Sequence, residues 1–243
     1  MTTREKTGLL SLADTSPERP LREQVFTIAF GAIQWPWLAK SLWGGTKRSK
    51  RELLARLDLA ADALPNLGSW KADTYLLHRI VDVIETARPQ VVVELGCGAT
   101  SLVIARALQM HGGGKLYSFD QNAEFVEHTA RWLKDHGVEA QLHPAPIVPD
   151  PTPWASQWYS LPVVPPEIDL LLIDGPPWSI NPLVRGRAEV LFDRITPGGI
   201  VLLDDAARPG ERLVARRWRR DWPGFAFHLL SGGKGTLVGQ KGV

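Results

Sequence analysis

The sequence predicts an α/β domain: a doubly wound, mainly parallel sheet of seven strands with helices on both faces and a helical extension before it. Three observations predict it. After residue 89, short β-branched runs alternate with amphipathic stretches. The first of these runs ends in a Gly-x-Gly turn, and three later ones end in aspartate. At 243 residues the chain can bury a large core, and 44% hydrophobic with 22% charged residues argues against global disorder.

Residues 91–95 are a β-branched run closed by Gly96, which reads as a fully buried strand. A helix over 100–110 follows, then a triple-glycine turn, a strand over 116–119, a helix over 123–136 and a short strand over 139–142. A Pro- and Trp-rich loop is expected over 144–166. Beyond it come a buried strand over 168–173, a helix over 183–194 and a strand over 200–203. A helix over 212–222 carries Val214, Trp218 and Trp222 at spacings of four. A hairpin over 225–238 closes the sheet around Gly232-Gly233.

Upstream, residues 1–20 read as a polar tail. Residues 24–43 are apolar and aromatic, but Pro36 and Gly44-Gly45 limit any continuous amphipathic helix. Lys47, Arg48, Lys50 and Arg51 form a basic run. A short helix is expected around Leu53, Leu54, Leu57 and Leu64, and another over 74–87, ending before Pro89. The expected division is residues 1–69 as tail and aromatic-rich extension, and 70–243 as the sheet domain.

Ligands of such sheets bind beyond the C-terminal strand ends. There the first strand offers Glu94, Gly96, Cys97, Gly98 and Ser101, and the second offers Asp120, an acceptor suited to ribose hydroxyls. A nicotinamide fingerprint wants Gly or Ala where Ser101 stands. Glu94 beside the glycine loop would repel a pyrophosphate but attract an ammonium or a sulfonium. S-adenosylmethionine carries both cations and no phosphate.

These residues resemble the first two motifs of class I S-adenosylmethionine-dependent methyltransferases. Residues 170–177, LLLIDGPP, resemble their fourth-strand motif, and 197–205, PGGIVLLDD, the next one. Within that Rossmann-like superfamily the chain is most similar to a bacterial branch related to catechol O-methyltransferase and to macrolide-sugar O-methyltransferases. The resemblance implies that Glu94, Gly96 and Gly98 hold the methionine part, with Ser101 nearby at the helix start and Cys97 within the cofactor loop. It implies Asp120 for the ribose, Gln121 beside the adenosine, and the His143-Pro144-Ala145 stretch along the adenine, with Asp174 at the edge of the pocket.

Asp174, Asp204 and Asp205 close neighbouring strands, so three carboxylates converge. Uncompensated, they would repel one another, and a hard divalent cation such as Mg2+ would resolve the conflict. Such an ion would hold and acidify a substrate hydroxyl. The catechol-type pattern has Asn where Asp205 stands, and a lysine base where this chain has Gly175-Pro176-Pro177-Trp178. The expected general base is therefore one of the acidic trio, or His143 if its loop folds inward. Arg185, Arg187 and Arg208 read as salt-bridged side chains or as receptors for an anionic substrate group. The arginines of 212–220 read as the wet face of their helix.

The expected activity is methyl transfer to a hydroxyl of a small molecule with an apolar or aromatic part. N-methylation without metal, and cofactor binding without catalysis, stay open. A net charge of +2 disfavours nucleic acid as partner, and the single cysteine, Cys97, suits a cytoplasmic setting. The N-terminal tryptophans and those at 154 and 158 are expected to cover the substrate, pack on the sheet, form a homodimer contact or, with the basic run, touch a membrane surface.

Overall fold

The computed structural model describes residues 20–68 and 71–243. Residues 1–19 of the expected tail, and the expected boundary at 69 and 70, lie outside them.

The chain runs α1 Leu21–Ser41, α2 Lys47–Arg56, α3 Thr74–Ala87, β1 Val91–Leu95, α4 Ala99–Met110, β2 Lys115–Asp120, α5 Ala123–Asp135 and β3 Gln141–Pro144. There follow β4 Ile147–Pro149, β5 Gln157–Tyr159, β6 Ile168–Ile173, a 3-10 segment Val184–Arg194, β7 Ile195–Leu203, α6 Pro209–Asp221, β8 Phe225–Leu230 and β9 Thr236–Lys241. Seven strands form one sheet in the order β3-β2-β1-β6-β7-β9-β8. The first five are parallel, and β9 runs antiparallel to both of its neighbours. The order reverses between β1 and β6, which makes their C-terminal ends the switch point.

Alternation along the central strands divides the core into two layers. Val92, Leu170, Leu172 and Leu202 pack with α2, α3 and α4 on one face. Val93, Leu95, Leu171, Ile173, Val201 and Leu203 pack on the other with Trp158, Val184 and Trp218. Trp218 and Val214 are fully buried on α6, as their spacing requires, while Arg212, Arg216, Arg219 and Arg220 stay exposed.

Several expectations need correction. Helix α1 continues through Pro36. Ala32, four residues earlier, is exposed, so a carbonyl freed there can be hydrated rather than stranded. The basic run is the beginning of α2, capped by Thr46, whose hydroxyl accepts from Ser49 N at 3.0 Å; that helix ends at Arg56. The third strand begins two residues later than expected, and 184–194 winds as 3-10 rather than α. The Pro- and Trp-rich loop holds a hairpin, β4 against β5. β7 begins at Ile195, earlier than its apolar run, because an irregular register lets it pass Pro197 and Gly198. Among the described residues no helix is long and apolar enough to cross a membrane.

Helix α1 lies across the turn before β5 and the loop that follows β6. The Glu23 carboxylate accepts from Ser156 N at 2.9 Å, from the Ser156 hydroxyl, and from Asn181 Nδ2 at 3.1 Å. Gly31 packs on the ring of Trp178, where a Cβ would sit 3.1 Å away. The buried residues of α1 are Thr27, Gln34 and Ser41, seven apart, whereas Ile28 and Trp35 are 75% and 63% exposed. The helix turns a polar seam inward and an apolar face outward.

Candidate active site

The glycine loop after β1 is fixed by close packing. Gly96, at φ +95°, lies against the start of the loop after β6, and a Cβ there would sit 2.8 Å from Gly175 N. Both Asp174 N and Gly175 N donate to Leu95 O, at 2.9 and 2.7 Å. The two loops at the switch point are thereby tied to one strand end. Gly98, at φ +147°, precedes α4, and its N–H donates to Ser101 Oγ at 3.0 Å.

Glu94 is fully buried beneath this loop. Its Oε2 accepts from Ser101 Oγ and Ser118 Oγ, each at 2.5 Å. Ser101 therefore links the carboxylate to the loop backbone. Burial raises the acid to about 7, with the hydroxyl donors acting against the shift. Cys97 packs nearby, its Sγ 3.7 Å from Thr129 Oγ1, and burial pushes its thiol well up. That is the opposite of what a nucleophilic thiolate needs.

Asp120 ends β2 and is 7% exposed. Its Oδ1 accepts from Asn122 N at 2.9 Å, and its carbonyl accepts from Ala145 N at 2.8 Å. This second bond brings fully buried Ala145 to the strand end. His143 stacks on Phe119, centroids 5.5 Å apart. Gln121 Oε1 accepts from the Tyr159 hydroxyl at 3.1 Å. That hydroxyl lies over Gly175, so β5 closes across the gap between the β2 and β6 ends. Pattern places Tyr159 only within an aromatic loop, and no spacing in the sequence points to this contact.

The second half of the site gathers Asp174, Asp204 and Asp205, whose carboxylate oxygens lie within 4.8 Å of one another. Asp205 takes φ +58°, a left-handed conformation that Asp tolerates. The convergence matches the expectation, but its premise of missing counter-charge does not hold. Lys234 Nζ is 2.7 Å from Asp204 Oδ2 and 3.4 Å from Asp205 Oδ1. Arg185 reaches Asp205 Oδ2 at 3.0 Å and Asp174 Oδ1 at 3.3 Å, and also donates to the Asp174 carbonyl. Arg208 adds a contact to Asp205 Oδ2 at 2.8 Å.

Charge balance here is uneven. Despite its burial, Asp205 is held well below the usual carboxylate range by Arg208, Lys234 and Arg185. Asp174 is pushed well up by burial and by Asp204, and its side chain keeps 14% of its surface exposed. Behind them Glu211, near Arg185 and Arg208 at 4.0 and 3.9 Å, is raised by burial to about 7.

Arg185 and Arg208 thus serve as internal partners, and Arg187 pairs with Asp150 at 2.8 Å. Trp154 and Trp158 are core residues, 4% and 3% exposed, the former donating to Glu189 at 2.7 Å. Sequence reasoning misses Lys234, Asp73 and Glu211. A lone lysine in a glycine-rich hairpin carries no spacing signal, and its partners are distant in sequence.

A seven-stranded sheet of this order, with a glycine loop after β1 and acids at the ends of β2, β6 and β7, matches the Rossmann-like fold of solved methyltransferases. Residues 93–206 match a methyltransferase-domain family, and the fold resembles that of solved O-methyltransferases. No curated protein matches it in sequence.

Solved structures share its fold. An O-methyltransferase from Bacillus cereus in complex with S-adenosylhomocysteine (SAH) superposes with a TM-score of 0.55 at 13% identity, over 88% of this chain and 99% of that one. An SAH-bound methyltransferase from Podospora anserina gives 0.53 at 12%, over 92% and 98%. The O-methyltransferase TomG from Streptomyces achromogenes, involved in tomaymycin synthesis, gives 0.50 at 14%, over 89% and 99%.

Proposed function

We propose that the chain transfers the methyl group of S-adenosylmethionine to a hydroxyl of a small molecule, with Asp174 as the general base. The observation that carries this reading is the tie between Leu95 O and the backbone of Asp174 and Gly175. It sets a partly exposed, proton-accepting carboxylate directly beside the glycine loop.

The donor set fits the cofactor. The backbone of Gly96, Cys97 and Gly98, braced through Ser101, leaves side-chain-free space at the strand end. Glu94 and Asp120 supply negative charge that suits an ammonium, a sulfonium and ribose hydroxyls and repels a pyrophosphate. Gln121 and Ala145 border the adenosine side, where the Tyr159 hydroxyl must yield or donate to the ligand. When bound, the cofactor supplies an electrophilic methyl group on sulfur.

The rest is done by the chain. Asp174, with its proton affinity raised, accepts the hydroxyl proton of the acceptor as its oxygen forms the bond to carbon and the carbon–sulfur bond breaks. Arg185 fixes the Asp174 carboxylate in place from behind. Helix α1 covers the acceptor side over Trp178. Gln34, fully buried, with both amide atoms unpaired among the described residues and one turn from the Gly31–Trp178 contact, reads a polar group of the acceptor.

Calorimetric titration with SAH tests the cofactor half, with saturable one-to-one binding expected. Methyl transfer to a panel of hydroxylated and aminated acceptors tests the rest. Transfer to amines alone would replace the O-methyl reading, and absence of SAH binding by folded protein would remove both.

A further inference from the structure

Three converging carboxylates bind a divalent cation when no other positive charge already holds them. In this chain the positive charge is built in. The ammonium of Lys234, its side chain 3% exposed, sits between Asp204 and Asp205, and the Arg185 guanidinium spans Asp205 and Asp174. With Arg208, three cationic side chains face the three acids and, behind them, Glu211. A dication added to this buried set would leave excess positive charge out of water.

Lys234 is held there by more than its charge. It lies in the turn between β8 and β9, where Gly232, Gly233 and Gly235 all take positive φ. Its backbone N–H donates to Asp73 Oδ2 at 2.9 Å, and Asp73 Oδ1 in turn caps α3 through Leu76 N. Its Nζ also donates to the carbonyl of Lys71 at 3.3 Å. A side chain substituted at Gly233 would collide with the Asp73 carboxylate. Backbone, cap and hairpin together deliver the ammonium to the acids. Burial opposes its charge, but Asp204 and Asp205 more than offset this and hold Lys234 protonated well above the usual lysine range.

The geometry assigns to Lys234 and Arg185 the place of a divalent cation: the trio does not take up a metal, and methyl transfer proceeds without one. The second half of this statement rests on the O-methyltransferase reading; the first does not. Lys234 is here a positioning residue. It neutralises Asp204 and Asp205, leaving Asp174 as the carboxylate that faces the acceptor.

The test is a Mn2+ titration of the full-length protein followed by electron paramagnetic resonance, with SAH binding measured on the same sample and turnover compared in chelator and in Mg2+. The wild type should take up no stoichiometric Mn2+ and turn over equally in both. Lys234→Ala should acquire one Mn2+ per chain, on the order of a hundredfold tighter than the wild type, because Asp204 loses its counter-charge and Asp205 loses one of three. Asp204→Asn in that background should abolish the gain. Should Lys234→Ala fail to fold, Lys234→Gln replaces it, and the wild-type titration decides by itself. One Mn2+ bound per wild-type chain and lost in Asp204→Asn would overturn the assignment. So would a folded Lys234 variant that takes up none. Loss of SAH binding with the ion result intact would instead strike the cofactor reading.

Discussion

Glu94 and Asp205 are both buried carboxylates on the C-terminal side of one sheet, and the protein treats them in opposite ways. Glu94 is met by the hydroxyls of Ser101 and Ser118, and its proton affinity rises to about 7. Asp205 is met by Arg185, Arg208 and Lys234, and its proton affinity falls far below normal. Neutral donors leave an acid that still responds to an arriving cation; full counter-charges leave one that is already satisfied. The half of the site proposed for the cationic cofactor is the half without internal cations. The half that resembles a metal site is the half that has them.

The sharpest way to break this contrast is truncation. Asp205→Ala leaves three buried cations short of a partner and should cost about 3–5 kcal/mol in denaturant unfolding. Glu94→Gln keeps an acceptor for both serines and should cost about 1 kcal/mol. Similar losses in both variants would mean that Asp205 is not locked in the way its contacts indicate.

Acid–base titration of stability sharpens it further. The folded pKa of Glu94 lies above its ordinary 4.5, so the native state binds more protons than the unfolded chain between these values. Its contribution is fully present below about 4.5 and is lost as pH rises through about 7, by up to about 3 kcal/mol. Glu211 acts in the same direction over the same window. Asp205 acts in reverse: its contribution is present above its ordinary 3.8 and is lost as the solution is acidified further. Unfolding free energies between about pH 5 and 8 should therefore decline in the wild type and decline less in Glu94→Gln. An unchanged slope in that variant would reassign the titration to Glu211.

Cofactor affinity gives a third, smaller separation. Asp120→Ala should weaken SAH binding by about tenfold to a hundredfold, the loss of one or two charge-assisted hydrogen bonds. Asp204→Asn should leave it within a few-fold. Equal weakening would join the two halves into one binding surface. Least affected should be Cys97→Ala: its thiol is buried and protonated, so turnover should persist, with stability lowered by about 1 kcal/mol in unfolding experiments.

Much of this architecture is legible in the sequence. The run of 91–95 and the glycine turn after it specify a buried strand and the loop that follows, because only a few backbone conformations satisfy both. The aspartates at 120, 174, 204 and 205 can be placed at strand ends because a parallel sheet brings those ends together. Pattern does not settle α1, since the proline penalty depends on whether the freed carbonyl meets solvent. Nor does it find β4 and β5 inside a proline-rich loop, where three-residue strands leave no period to read. Trp154 and Trp158 read either as a cover or as packing on the sheet, and they lie in the core; composition alone does not say which way a ring faces.

By itself, then, the sequence determined the sheet, the glycine loop and the convergence of acids, all consequences of local periodicity and of strand ends meeting. Tertiary structure alone decided what those acids meet. Lys234 lies 30 residues from Asp204 along the chain, and its backbone is pinned by Asp73, 161 residues away. Electrostatic compensation depends on distances of about 3 to 4 Å between such groups, and no spacing in a sequence encodes a distance across the fold.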